Sequence, residues 1–281
     1  RKTHPFGSCL RLLSKNFAQM MKYLDTHCHL DFPEFDSDRH QVIQIAREEG
    51  VLGIINVGTN LASTKSCLRL AREYPSCFAT AGIHPHYAPE TNPDERKQLA
   101  LLAREERIVA IGETGLDFHY GKDYAKKQED LFRYQLELAG ELSLPLVIHQ
   151  RECPEEIISI IEKVGYSGPL VFHCFDGNQA IMNYVREKKF FCSFTGIVTF
   201  PKAQNTREAA ASLPLSLIMV ETDAPYLSPH PFRGKRNEPA KVRLVAEAVA
   251  ACQNHSREVT AEILLRNSVN FFRLTEKGLF L

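Results

Sequence analysis

Tyr23-Leu24-Asp25-Thr26-His27-Cys28-His29-Leu30 is a short apolar run that ends in two histidines spaced two apart. On a β-strand, residues i and i+2 project to the same side. His27 and His29 therefore leave one strand end side by side. Two neutral imidazoles in that arrangement form a half-site for a divalent metal ion. The rest of the chain is read by asking where the remaining ligands come from.

Downstream, the chain alternates between two patterns. Residues 36–50 read as an amphipathic helix with Gly50 at its stop, and Val51 to Val57 as a continuous apolar strand. Helical patterns at 61–73, 93–104, 125–141, 154–164 and 178–188 alternate with strand-like runs at 77–83, 108–112, 144–148, 169–172 and 190–194. A helix-like stretch near 206–212 precedes an eighth strand at 215–220, and helices follow at 239–251 and 257–273. Apolar strands buried on both faces and separated by amphipathic helices argue for parallel pairing. Eight such units in one domain predict an α/β fold, a (β/α)8 TIM-type barrel with its chemistry at the C-terminal ends of the strands. An open doubly wound sheet is the alternative, weakened by the lack of a GxGxxG turn after the first strand.

The strand ends carry the signal. His27 and His29 follow strand 1, His84 strand 3, Glu113 strand 4, His149 strand 5, His173 strand 6 and Asp223 strand 8. A lone histidine is usually a capping or core group, and folding alone does not require this set on one rim. Six strong ligands exceed what one tetrahedral catalytic ion with an open position uses. Two divalent ions about 3.5–4 Å apart, bridged by a carboxylate, would use them all. Glu113 is the natural bridge; His27, His29 and Asp223 would complete one ion, and His149 and His173 the other. A mononuclear site with Glu113 or Asp223 as base is the alternative. Zn²⁺ suits the histidines, while phosphate substrates often bring Mg²⁺ or Mn²⁺.

Composition sets limits on this reading. Lysine plus arginine equals aspartate plus glutamate, 34 each, so any nucleic acid must be held at a local site and not by overall charge. The eight cysteines are scattered, with no CxxC pair. They read as reduced thiols of a cytoplasmic protein. No apolar stretch approaches the roughly 18 residues of a membrane span. Residues 1–21 carry Arg1, Lys2, Arg11 and Lys15 and no acidic residue. They read as a basic extension outside the catalytic fold, either a loose leader or a targeting segment; residues 22–281 form the single barrel.

The segments DTHCHLD, AGIHPH, IGETGLDF, PLVIHQRE, FHCFDGN, ETDAPYLSP and HPFRGKRNEP, in this order, resemble the TatD family of metal-dependent deoxyribonucleases over about residues 22–275. The resemblance implies an amidohydrolase-type barrel. It also implies a hydrolase acting on phosphodiester bonds, a 3′-to-5′ exonuclease on single-stranded DNA or 3′ ends, in DNA repair or degradation. By the same resemblance the six ligands match family metal positions. His84 matches a histidine beside the substrate, with a phosphate-binding or leaving-group role. Where the family often has an aspartate after the strand 5 arginine, this chain has Glu152.

Other residues carry weaker readings. Glu113 and Asp223 are the candidate catalytic carboxylates, Asp223 as ligand, general base or both. Arg151 binds phosphate or pairs with Glu152 or another acid. Arg233 and Lys235, in the Arg233–Arg236 run, grip phosphate or anchor their loop. Lys122, Lys126 and Lys127 read as a solvated helix face. Phe118, Tyr120, Phe200 and Tyr226 either stack on bases or pack their loops. Two functions compete with the nuclease: a small-molecule hydrolase of lactones or amides using the same metals, and a catalytically dead partner-binding barrel, against which six intact ligands count. The chain is expected to act as a monomer.

Overall fold

A computed structural model describes residues 21–279; the basic stretch 1–20 lies outside the described residues. Strand β1 (Tyr23–Cys28) opens the fold, followed by α1 (Arg39–Glu48), β2 (Val51–Asn56), α2 (Leu61–Glu73), β3 (Cys77–Ala81), α3 (Pro93–Leu102) and β4 (Ile108–Asp117). Then come α4 (Ala125–Leu142), β5 (Leu146–Arg151), α5 (Pro154–Val164), β6 (Leu170–Phe172), α6 (Gln179–Lys188) and β7 (Phe191–Phe194). The chain finishes with α7 (Gln204–Ser212), β8 (Ile218–Val220), α8 (Val242–Gln253) and α9 (Arg257–Phe271). The eight strands are parallel and pair in sequence order, β1 to β8. A parallel bridge between Cys28 and Ala224 and the bond from Asp223 N to His27 O bring β8 back to β1. The expected TIM-type barrel is the observed architecture.

Local chemistry explains the punctuation. Pro93 opens α3 behind Asn92, whose side chain accepts from the amides of Asp94 and Glu95 while Glu95 reaches back to the Asn92 amide, a reciprocal satisfaction of orphan donors. Helix α5 begins with Pro154 and two acids and stops at Gly165 in the left-handed conformation.

Two strand starts differ from the sequence reading. The Leu144 amide is taken by Ala139 O of α4, and Pro145 has no N–H, so β5 starts at Leu146, which donates to Pro169 O. Pro214 accepts from Leu217 and winds 215–217 into a 3₁₀ turn, which shortens β8. Strand β4 runs further than expected, through Asp117, because its pairing with β5 continues from Thr114–Ile148 to Asp117–Arg151.

Inside the barrel, Leu24, Ile55, Phe78, Val109, Val147 and Met219 pack together with Phe271, Phe272 and Leu274 from the end of the chain. Burial of each such side chain contributes roughly 1.5–3 kcal/mol. Arg107 fixes this end plug at the N-terminal ends of the strands: it donates to Lys277 O, Ala71 O, Pro75 O and Cys77 O. With the lower end filled, the polar residues at the upper end face a single open cavity.

Candidate metal centre

Three strands carry acidic and histidine residues at even spacing in sequence, and a register irregularity in β1 between Asp25 and Cys28 brings its histidines to this end. Strand β1 and its exit give Asp25, His27 and His29; β4 gives Glu113 and Asp117; the exit of β8 gives Glu221 and Asp223. Strands β4 and β5 approach unusually closely. A Cβ on Gly115, at φ +139, would lie 2.0 Å from His149 O, and one on Gly112 would lie 2.6 Å from Val147 O. The two glycines, which tolerate positive φ, let Glu113 stand directly beside His149.

Glu113 is the hub. It is buried, 4% exposed. Its Oε1 lies 2.9 Å from His149 Nδ1 and 2.8 Å from His173 Nε2, with His84 Nε2 at 3.6 Å. Its Oε2 lies 3.5 Å from His27 Nε2 and 3.9 Å from His29 Nε2. The carboxylate thus divides its two oxygens between two groups of histidines. Asp223, in the left-handed conformation at φ 54, places Oδ1 3.4 Å from His29 Nε2 and 3.7 Å from His27 Nε2. All six expected ligands, and His84, meet in one place.

Surrounding acceptors decide which nitrogen of each ring is free. His29 Nδ1 lies 3.1 Å from Val57 O, which can only accept. The proton therefore sits on Nδ1, and Nε2 turns a lone pair toward Asp223 and His27. Asp117 Oδ2 takes His149 Nε2 at 3.0 Å, leaving Nδ1 to face Glu113. Glu221 Oε1 lies 3.5 Å from His173 Nδ1, long for a hydrogen bond, and aligns that ring. Glu221 itself accepts from the Cys174 amide and from Ser193 Oγ. Lone pairs on imidazoles aimed at carboxylate oxygens are mutually repulsive unless a cation lies among them, so this donor set fits divalent metal ions.

The electrostatics of the cluster point the same way. Burial favours the neutral ring of His149, but hydrogen bonds to Asp117 and Glu113 outweigh it and raise the pKa. His173 is held well above its usual value despite burial, by Glu113 and Glu221. Burial opposes ionisation of Glu113, yet the surrounding histidines hold it well below the carboxylate range. Asp223 is likewise lowered by His29 and His27 against its burial. His84 is the exception: burial and the neighbouring His149 keep it well below 6.5, so it is a neutral ring.

Three clusters of ligand atoms have metal-binding spacing among the described residues: His27, His29 and Asp223; His27, His173 and Glu221; and His84, Glu113 and His149. The first is the grouping expected from sequence. The third draws His84 toward Glu113 and His149, where His173 was expected. In the second, Glu221 already has two donors, so the cluster orients His173.

Asp117, Glu221 and Asp25 were not singled out from sequence. Each lies at even spacing from a chosen ligand on the same strand or strand exit, which is the signal that would have found them. Asp25 is fully buried and clamps β1 to β8 by accepting from Thr222 N and Oγ1. Cys28 and Cys174 stay off the ligand set: Cys28 is buried in the core, and Cys174 Sγ faces Thr195 Oγ1.

The cavity over this floor measures about 780 Å³. Arg151 lines it and lies over the Tyr120 ring, 5.7 Å from its centroid. Glu152 pairs with His119 at 2.6 Å, not with Arg151. Arg233 is exposed over the Phe200 ring, and Lys235 is exposed; neither is among the residues lining the cavity. Arg236 anchors that loop through a two-point pair with Asp38. Asn237, assigned no role from sequence, is fully buried and donates to Thr222 O, which supports the turn carrying Asp223. Lys122 lies in the loop before α4, not on the helix face expected for it, and pairs with Glu156 at 2.8 Å.

Fold and site together define a hydrolase-type barrel with candidate metal-binding histidines and carboxylates at one end. The family model described as TatD related DNase matches residues 24–273, and the chain belongs to the TatD family of metal-dependent hydrolases. It is 36% identical to the uncharacterized metal-dependent hydrolase YabD of Bacillus subtilis (strain 168), over 89% of this chain and 98% of that protein. It is 35% identical to the 3′-5′ ssDNA/RNA exonuclease TatD of Erwinia tasmaniensis, over 89% and 98%. The crystal structure of YjjV, a TatD homolog from Escherichia coli K12, superposes with a TM-score of 0.85 at 29% identity, covering 90% of this chain and 98% of that one.

Proposed function

We propose that the protein is a metal-dependent deoxyribonuclease, a 3′-to-5′ exonuclease on single-stranded DNA that serves DNA repair or degradation. The observation that carries the reading is the division of the Glu113 oxygens between His149 and His173 on one side and His27 and His29 on the other. That arrangement suits two divalent ions sharing one carboxylate. His27, His29 and Asp223 would hold one ion and His149 and His173 the other, with Mg²⁺, Mn²⁺ or Zn²⁺ as occupant. Bound there, such ions lower the pKa of water and neutralise the entering and leaving oxygens of a displacement at phosphorus.

The chain's own groups do the rest. Asp223, 15% exposed at its side chain, borders the cavity and is the base that takes the proton of the attacking water. His84, held neutral, hydrogen-bonds a phosphate oxygen or the leaving group. Arg151 at the mouth pairs with a neighbouring phosphate, and Arg233 and Lys235 hold the strand farther out. A relative named as a 3′-5′ ssDNA/RNA exonuclease supports the direction and the single-stranded substrate.

One chain furnishes every group of the site, which supports a monomer. The seven cysteines of the described residues are free thiols, which supports the cytoplasm. No helix of the described residues is long and apolar enough to cross a membrane. The test is degradation of a 5′-labelled single-stranded oligonucleotide with Mg²⁺ or Mn²⁺ and with EDTA. A ladder shortened from the 3′ end, abolished by EDTA, is the expected result; turnover of a lactone panel but not of DNA would overturn it.

A further inference from the structure

Seven large apolar side chains are exposed among the described residues, and three of them, Tyr87, Tyr120 and Tyr226, ring the one cavity over the metal-binding groups. Tyr120 is 78% exposed and Tyr226 51%. Neither the core nor a hydrogen bond explains them. The hydroxyls of Tyr23, Tyr134, Tyr166 and Tyr184 each have a hydrogen-bond partner, whereas those of Tyr120 and Tyr226 have none among the described residues.

The two rings stand in the loops of opposite walls. Tyr226 follows β8 and continues a line of rings from the floor: His29 stacks on Phe32 at 4.7 Å and 16°, and Phe32 meets Tyr226 edge-on at 6.2 Å. Tyr120 follows β4, carries the Arg151 guanidinium over its face, and meets His119 and His86 edge-on.

Charge cannot perform the task these rings are suited to. Among the described residues lining the cavity, Arg151 is the one lysine or arginine, against the carboxylates of Glu113, Asp117, Asp176 and Asp223. A polyanion entering here meets few fixed cations beyond those the floor would hold. Planar, solvent-facing rings bind bases through their π-faces, independently of sequence.

Resting on the nuclease reading above, we propose that Tyr120 and Tyr226 are base platforms that hold unpaired bases on either side of the scissile phosphate. The enzyme thereby selects single strands by stacking and not by backbone charge. A base locked in a duplex has its faces covered by its neighbours and cannot reach either ring.

The test uses the full chain loaded with Mn²⁺, with kcat and KM measured on a 5′-labelled oligothymidylate and on methyl p-nitrophenyl phosphate, a diester with no base. Tyr120→Ala and Tyr226→Ala should each raise KM for the oligonucleotide by about 5- to 150-fold, the scale of one base–aromatic contact. Tyr120→Phe and Tyr226→Phe, which keep the plane, should bring it back to the wild-type value. Tyr124→Ala, an exposed tyrosine outside the cavity lining, should leave it unchanged. Equal KM in wild type and both alanine variants overturns the proposal alone. So does an equal loss on the base-free diester, which would mean a damaged site. A wild-type enzyme that cuts the diester but not the oligonucleotide overturns the nuclease reading, and the platforms with it.

Discussion

Asp117 Oδ2 accepts a hydrogen bond from His149 Nε2 at 3.0 Å, and that contact turns the other ring nitrogen, Nδ1, onto Glu113. The same oxygen lies 3.0 Å from His86 Nε2, and the other carboxylate oxygen accepts from the His119 amide. The carboxylate is buried and tethered on three sides, so it fixes both the tautomer and the angle of His149. Loss of such an orienting carboxylate typically costs 10–100-fold in metal affinity or activity. Asp117→Ala should therefore weaken divalent metal binding by about 10–100-fold while the barrel stays folded. Isothermal titration with Mn²⁺ and circular dichroism check the two halves of this statement. Unaltered affinity would remove Asp117 from the account.

Glu113 is the group on which both histidine clusters depend, and Asp223 borders the cavity beside the first. Glu113→Ala or Asp223→Ala should reduce cleavage by about 10³-fold or more, the scale on which members of a cooperating unit fail. The fold should survive, because neither side chain contributes to the apolar interior. Steady-state cleavage beside thermal unfolding makes the comparison. Wild-type-like turnover in either variant would contradict the assigned roles.

The histidines of the site give a pH effect with a definite sign. Carboxylates raise the pKa of His149 and His173, and Asp223 does the same for His29 against its burial. Rings with raised pKa values stay protonated to higher pH than free histidine, and only a neutral ring can ligate. Metal binding should release protons, and affinity should climb as pH rises from about 6 toward 8, where unperturbed histidines would already be mostly neutral. Titration calorimetry near neutral pH in two buffers of different ionisation heat reports the proton count. Binding with no proton release would count against this assignment.

Asn237 tests the support behind the ligands. Its Nδ2 donates to Thr222 O at 2.8 Å, and its Oδ1 accepts from the Glu238 amide at 2.9 Å. Leaving buried partners unsatisfied costs roughly 1–3 kcal/mol, so Asn237→Ala should lower unfolding stability by about that amount. Chemical denaturation measures it. Because the same bond props the turn before Asp223, metal affinity should fall as well.

Much of this is legible in the amino-acid sequence alone. The alternation of apolar strands and amphipathic helices specified the barrel, because buried parallel strands leave a strong continuous signature. The convergence of the six candidate ligands was legible because His27, Glu113, His149 and their partners interrupt apolar runs where a folding argument expects none. Strand limits were not legible where backbone pairing decides them. Pro145 lacks a donor and Pro214 seeds a turn, and only the neighbouring chain shows which register follows. Asp117 and Glu221 escaped for another reason: a carboxylate near a ligand in sequence says nothing of which ring it reaches. The fate of Arg151 and Glu152 depended on partners in space, Tyr120 and His119, which sequence spacing could not supply.

The central claim is that one carboxylate, Glu113, is shared by two metal positions. Anomalous diffraction from crystals soaked in Mn²⁺ measures it directly. The account predicts two peaks about 3.5–4 Å apart, one against each Glu113 oxygen, the first also bound by His27, His29 and Asp223 and the second by His149 and His173. A single peak, or two peaks that do not share Glu113, would contradict it.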